Sequence, residues 1–161
     1  FGIQRIDIYD KNERFNVSTG ISKGVEKWLD SNFFNSYNDG GIADWVSRLK
    51  ATGRKLYVTA LDKNAVPLSQ IDPTVSATIC FGNEQEGASS EILSLADKTI
   101  YIPMKGFVES FNVSVSCGIV LHHLTLGMEE AGISRGLDDE DALNTKIKWA
   151  LRTIPNPQRF L

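Results

Sequence analysis

Ala77-Thr-Ile-Cys-Phe81, followed at once by Gly82-Asn-Glu-Gln-Glu-Gly87, is the stretch on which the fold turns. Its nearly continuous apolar run reads as a short strand of the kind buried on both faces, as in parallel sheets covered by helices. The glycine-bounded turn leads to Ser89 and Ser90, either of which can cap a helix running through Leu95. The same order of strand, loop and helix recurs downstream. Ile100 to Ile102 is an apolar strand, and Val113 to Met128 a long helix apolar on most sides.

Upstream, Leu56 to Leu61 is a further short strand, and Val66 to Pro73 reads as a loop carrying two prolines. Ile42, Trp45, Val46 and Leu49 recur at helical spacing, with Gly53 placed where a left-handed residue ends a helix. Asn38-Asp-Gly-Gly41 punctuates the chain before them. Gln4 to Tyr9 alternates Ile6 and Ile8 with polar neighbours, as a strand does. Ser22 is placed to cap a helix from Lys23 to Leu29, and Phe33 to Tyr37 reads as another strand. Alternating strands and helices predict an α/β fold, a mainly parallel sheet flanked by helices. Asp138-Asp-Glu-Asp141 opens a separate C-terminal helix, its acids at the positive end of the helix dipole, which Pro155 and Pro157 close.

The 161 residues suit one ordinary domain, with 42% hydrophobic and 23% charged residues. No run is long and apolar enough to cross a membrane, and no secretory signal precedes the first strand, so a cytoplasmic protein is expected. Phe1 is not an initiator residue, and an N-terminal piece is expected to be missing. Cys80 and Cys117 lie in apolar segments and read as core thiols. The four acids at 138–141 read as a solvated helix start, and His122 and His123 lie mid-helix without a matching acid or cysteine cluster, so no metal is expected. The net charge of −3 argues against a simple basic nucleic-acid binder unless the cations gather on one face or a dimer pools them.

Two loops carry chemistry. Gly82 and Gly87 let backbone approach a ligand, and Glu84 offers a carboxylate at the turn, at the carboxyl end of a strand where α/β sheets place their sites. Ile102-Pro-Met-Lys-Gly-Phe-Val-Glu-Ser-Phe-Asn-Val-Ser-Val115 leaves a strand and runs into a helix. Pro103 and Met104 offer apolar surface to a planar ring, while Ser110, Asn112 and Ser114 crowd polar groups where the long helix begins. That helix start suits an anionic group, although plain capping explains the same residues.

Together, Gly82-Asn-Glu84 with Gly87, and Ile102-Pro-Met104 with Gly106 and Ser110-Phe-Asn-Val-Ser-Val115, resemble the second and third motifs of the SpoU (TrmH-like) RNA ribose 2'-O-methyltransferases of the SPOUT superfamily. The resemblance covers roughly Phe1 to Leu124. It implies a C-terminal deep trefoil knot, a methyltransferase domain over 1–131 and a C-terminal helical extension over 132–161. It implies S-adenosylmethionine bound by backbone groups of Thr59, Ala60, Leu61, Gly82, Asn83 and Gly87 from two loops, and of Ile102, Pro103, Met104, Ser110 and Phe111 from the third. Glu84, Ser110 and Asn112 match positions that shape the active site. Phe111 stands where the family often has Leu. The resemblance further implies a homodimer and an RNA substrate, tRNA in preference to rRNA, because the C-terminal helix resembles the extension of the tRNA-modifying branch. The family's first motif, roughly Asn-x-Gly-x-x-x-Arg-Thr with its catalytic arginine, is absent from the chain, so no residue takes that role.

Two competing readings follow. The absent motif suggests a module that binds RNA or S-adenosylmethionine without turnover. A different nucleotide-binding α/β enzyme would use Gly82 to Gly87 as a phosphate loop, but that loop lacks G-x-G-x-x-G and leaves 102–115 unexplained.

Overall fold

The computed structural model describes residues 1–10, 24, 27–35, 40–107 and 110–157. The chain divides into two compact units, one formed by Phe1 and Ser36–Ser134, the other by Gly2–Asn35 and Arg135–Leu161. The division therefore groups the C-terminal helix with the first strands.

In the larger unit the order is α1 (Gly41–Ala51), β3 (Lys55–Thr59), β4 (Val66–Pro67), β5 (Ala77–Cys80), α2 (Ser90–Leu95), β6 (Lys98–Tyr101) and α3 (Val113–Glu130). The four strands form a parallel sheet in the order β4-β6-β3-β5. Strand β3 is the hub. Leu56, Tyr57 and Val58 are 0%, 5% and 0% exposed, since β5 and β6 flank the strand and helices cover both faces. Alternation sends Tyr57 to one face, where it packs with Leu68, Ile71, Ile100 and Val120 of α3. Leu56 and Val58 point to the other, the side on which α1 and α2 pack against β3 and bury Ile42, Val46 and Ile92.

Asp97 closes the opposite end of this unit. Its carboxylate accepts the Leu56 N–H at 2.8 Å and lies 3.4 Å from the Lys50 Nζ and 3.8 Å from the Lys55 Nζ. The Leu56 N–H first, and then the two ammonium groups, hold this carboxyl below the usual carboxylate range despite some desolvation.

Several expectations shift. The doubly buried strand is β3, whereas β5 is half-buried along its length because it lies at the sheet edge. The stretch read as a loop over 66–73 instead holds β4 and a 3-10 turn, Leu68–Gln70, with Leu68 and Ile71 buried. Pro67 is tolerated there because β4 is an edge strand. Gly53 does end α1 with φ +79°. Ser89 caps α2, its Oγ accepting the Ile92 N–H.

In the smaller unit β1 (Arg5–Tyr9) pairs parallel with β2 (Asp30–Phe34). Strand β2 starts earlier than the run from Phe33 to Tyr37 suggested, and Ser36 and Tyr37 lie outside the described residues. Of the helix expected from Lys23 to Leu29, the cap Ser22 and residues Lys23, Val25 and Glu26 lie outside the described residues. Helix α4 (Asp139–Thr153) is capped by Asp138, whose side chain accepts the Asp141 N–H at 2.8 Å. Trp149 meets Trp28 edge to face at 5.4 Å, and Arg152 binds the Asp30 carboxylate at 2.7 Å. Among the described residues no helix is long and apolar enough to cross a membrane.

Two outcomes test this packing. Ile100→Ala should cost about 2–5 kcal/mol in urea unfolding, because the cavity opens beside β3. Because the folded pKa of Asp97 is depressed, its contribution is present above the unfolded value of about 3.9 and disappears as pH falls through the folded pKa. The stability gap between wild type and Asp97→Asn should therefore close in urea titrations run at progressively lower pH below about 4.

Candidate active site

Three strand exits meet at one end of the larger sheet, because β6, β3 and β5 are neighbours and run in the same direction. The Ala60 N–H donates to the Ile100 carbonyl at 3.0 Å, and the Thr59 hydroxyl to the Cys80 carbonyl at 3.4 Å. The loops holding residues 59–61, 82–87 and 102–104 thus leave from adjacent strands, as expected for a ligand site at strand carboxyl ends.

The turn after β5 is built by its own backbone. Asn83 and Gly87 exchange N–H···O bonds of 3.1 and 3.0 Å, and the Asn83 Oδ1 accepts the N–H groups of Gln85 and Glu86 at 2.9 and 2.6 Å. The oxygen of Asn83 therefore shapes the loop. A Cβ on Gly82 would lie 2.2 Å from the Gly87 carbonyl carbon and 2.3 Å from the Ala88 nitrogen, so only glycine closes the turn. Gly87 adopts φ +70°. Glu84 stands exposed at the tip, with no hydrogen bond or ion pair to another described residue.

Beyond β6, Ile102 and Pro103 line an open apolar groove of about 740 Å³ with Leu68, Gly118, Ile119 and His122. Leu61 borders a second hollow of about 680 Å³ with Asp62, Lys63 and Tyr101. Neither is lined by Gly82, Glu84, Ser110 or Asn112. Met104 is half-buried, whereas Ser110 and Phe111 are exposed at the approach to α3. Asn112 is the N-cap of α3: its Oδ1 accepts the Ser114 N–H at 2.8 Å and the Ser114 hydroxyl at 2.6 Å. Its amide nitrogen has no partner among the described residues. Phe107, wholly exposed beside Gly106, was not singled out from the sequence. A lone aromatic in a polar loop, without a periodic apolar partner, is the signal that would have marked it.

Electrostatics narrow the chemistry. Burial pushes the Cys80 thiol up to about 11 and raises that of Cys117, so both stay protonated at neutral pH and neither is poised as a nucleophile. The described arginines of the larger unit are Arg48 on α1 and Arg54, whose guanidinium donates to the Ala77 carbonyl at the opposite end of the sheet. No described group of three or more His, Cys, Asp or Glu residues could hold a metal ion.

Residues 1–122 match the SpoU rRNA Methylase family. The chain belongs to that family. Its similarity extends to tRNA (guanosine(18)-2'-O)-methyltransferases: 27% identity with that of Borreliella burgdorferi, over 98% of this chain and 70% of the relative. Identity is 33% with that of Aquifex aeolicus, over 89% and 67%, and 31% with that of Escherichia coli, over 82% and 56%. The chain thus spans between 56% and 70% of the length of these three relatives. The crystal structure of the A. aeolicus TrmH/SpoU tRNA modifying enzyme superposes with a TM-score of 0.78 at 28% identity, over 94% of this chain and 77% of that one. An AdoMet-bound rRNA methyltransferase from Sinorhizobium meliloti shares the fold at TM-score 0.63 and 22% identity, over 75% and 45%. The parallel sheet flanked by helices and the family membership read from the two loops are both upheld.

Gly82→Ala should force the turn open. Hydrogen exchange at the Asn83 and Gly87 amides is expected to accelerate while the β3 amides keep their protection, with global stability lower by about 1–3 kcal/mol.

Proposed function

We propose that this chain transfers a methyl group from S-adenosylmethionine to a ribose 2'-hydroxyl of tRNA, on a guanosine in a loop. The observation that carries the reading is the meeting of the 59–61, 82–87 and 102–104 loops at the ends of three adjacent strands, in a chain whose first 122 residues match the SpoU family. The tRNA guanosine comes from the names of the relatives.

The residues present suit the methyl donor. Main-chain groups of Thr59, Ala60 and Leu61, of Gly82, Asn83 and Gly87, and of Ile102, Pro103 and Met104 would hold the adenosine part without relying on particular side chains. Ser110, Phe111 and the start of α3 would receive the charged amino-acid tail, since a helix N-terminus favours anionic groups. Bound there, the donor supplies an electrophilic methyl on a sulfonium. Most of the protein's own work is alignment of the attacking oxygen. Glu84, free at the tip of its turn, and Ser110 would orient the ribose, while the unpartnered amide of Asn112 would hold the substrate end of the third loop. The arginine role of the family has no occupant among these residues.

The same reading includes a C-terminal trefoil knot, a homodimer and action in the cytoplasm. A second reading, rRNA as acceptor, is favoured by 37% identity over 83 residues to the 23S rRNA (guanosine(2553)-2'-O)-methyltransferase RlmP of Bacillus subtilis, which this chain covers to 33%.

Calorimetry with S-adenosylmethionine, followed by transfer of its labelled methyl to total tRNA and to rRNA, tests the proposal. Label on tRNA at a 2'-O-guanosine is expected. Label on rRNA alone would install the second reading, binding without transfer to either would make the chain a binding module, and no binding would remove the assignment.

Asn112→Ala and Ser110→Ala should each lower transfer by about 100-fold, on the scale seen when one positioned polar group is lost. Asn112→Asp separates capping from chemistry. It keeps the cap acceptor and near wild-type stability, yet removes the amide N–H groups and should lower transfer as far as alanine does. Full transfer in Asn112→Asp would reduce Asn112 to a helix cap.

A further inference from the structure

One apolar side chain stands clear of the molecule. Phe107 is 106% exposed, as open as in an extended peptide, whereas the next most exposed large apolar side chain among the described residues, Leu61, is 65% exposed. Both faces of the Phe107 ring are therefore bare. A phenyl group left in water forgoes the free energy of burial, so an occupant that covers it has something to gain. The backbone sets it there. Gly106 takes φ +133°, a conformation that residues with a Cβ rarely adopt, and turns the chain between the half-buried Met104 and Phe107. Lys105, two residues before the ring, is exposed and has no hydrogen bond or ion pair to another described residue. Lys50 and Lys55 of the same unit are held instead by Asp97.

We infer that Phe107 stacks on an unpaired base of the acceptor RNA, at or beside the nucleotide whose ribose is methylated, with Lys105 against a neighbouring phosphate. The inference rests on the proposed function for the class of acceptor. Position supports it. Phe107 lies three residues before Ser110, at most about 11 Å along the backbone, so a ribose aligned at Ser110 has its own base or the adjoining one within reach of the ring. Shape supports it as well. Bases splayed out of RNA loops are bound by stacking on aromatic side chains, which needs one free ring and no broad surface. A protein partner would instead press on a contiguous apolar patch and meet a single face of each ring. The methyl donor leaves the ring free, because the groups proposed to hold it lie at 59–61, 82–87, 102–104 and from Ser110 onward. Every base has a face to stack, so Phe107 is a positioning residue that strengthens RNA binding and does not choose the guanosine.

Titration of the chain with total tRNA, with S-adenosylmethionine affinity and methyl transfer measured on the same variants, tests it. Phe107→Ala should raise the Kd and the KM for tRNA about 10- to 100-fold, the loss of one stacked base, with kcat and S-adenosylmethionine affinity unchanged. Phe107→Trp should keep wild-type affinity, and Phe107→Leu, which keeps apolar bulk without a ring face, should behave as alanine does. Lys105→Ala should lower the slope of log affinity against log salt by about one, and Phe107→Ala should leave that slope unchanged. So exposed a side chain can be replaced without loss of the fold. If rRNA is the acceptor, it takes the place of tRNA in the same titrations, and if RNA is bound without transfer the Kd alone decides. Wild-type RNA affinity in Phe107→Ala overturns the inference and leaves the proposed function standing. Loss of S-adenosylmethionine affinity would move the ring to the cofactor, and a changed sedimentation coefficient with RNA affinity intact would move it to a protein contact; either overturns the inference alone. Phe107→Leu as tight as wild type overturns stacking, and an unchanged slope in Lys105→Ala overturns the phosphate contact. A wild type that binds neither tRNA nor rRNA overturns the inference together with the proposed function.

Discussion

The larger unit depends on a single constraint, the parallel pairing of β3 between β5 and β6. Leu56 and Val58 are completely buried, so β3 can exist only with a strand on each side and helices on both faces. That burial sets the register, because slipping one residue would carry Tyr57 into the α1 and α2 side and Leu56 out of it. The Leu56 N–H bond to Asp97 at one end and the Ala60 N–H bond to Ile100 at the other hold the strand lengthwise. The ends of three strands are thereby brought together, and the loops at 59–61, 82–87 and 102–104 leave from those ends.

The two loops reach their shapes by different means. The turn at 82–87 closes on itself through backbone bonds and one asparagine side chain, with glycine required by a contact of 2.2 Å. The segment after β6 is anchored on one side by Ile102, which packs against the core, and on the other by the N-cap of α3. Neither thiol competes for chemistry, since burial keeps both protonated. Some of the cations serve the fold: Lys50 and Lys55 surround Asp97, and Lys148 and Arg152 surround Asp30.

In the smaller unit, α4 lies beyond the residues that match the family, yet its side chains close backbone carbonyls at the entrance to β2. Its described residues are joined by hydrogen bonds, an ion-paired aspartate and an edge-to-face tryptophan pair.

Legibility followed the range of the forces involved. Glycine conformation, helix capping and apolar periodicity act within a few residues. Gly53, a serine cap at 89 or 90, the start of α3, the acidic opening of α4 and the turn at 82–87 could therefore be read directly, and the two motif loops named the family. Which strand lies in the middle could not be read, because the apolar runs at 56–61 and 77–81 look alike and only pairing on both edges separates β3 from β5. The strand at Val66 was hidden by Pro67, which an edge position permits. The side of α4 that meets β2 was equally invisible. Its polar face is as strongly patterned as its apolar one, and only the distant Trp28 and Asp30 decided which of the two would pack.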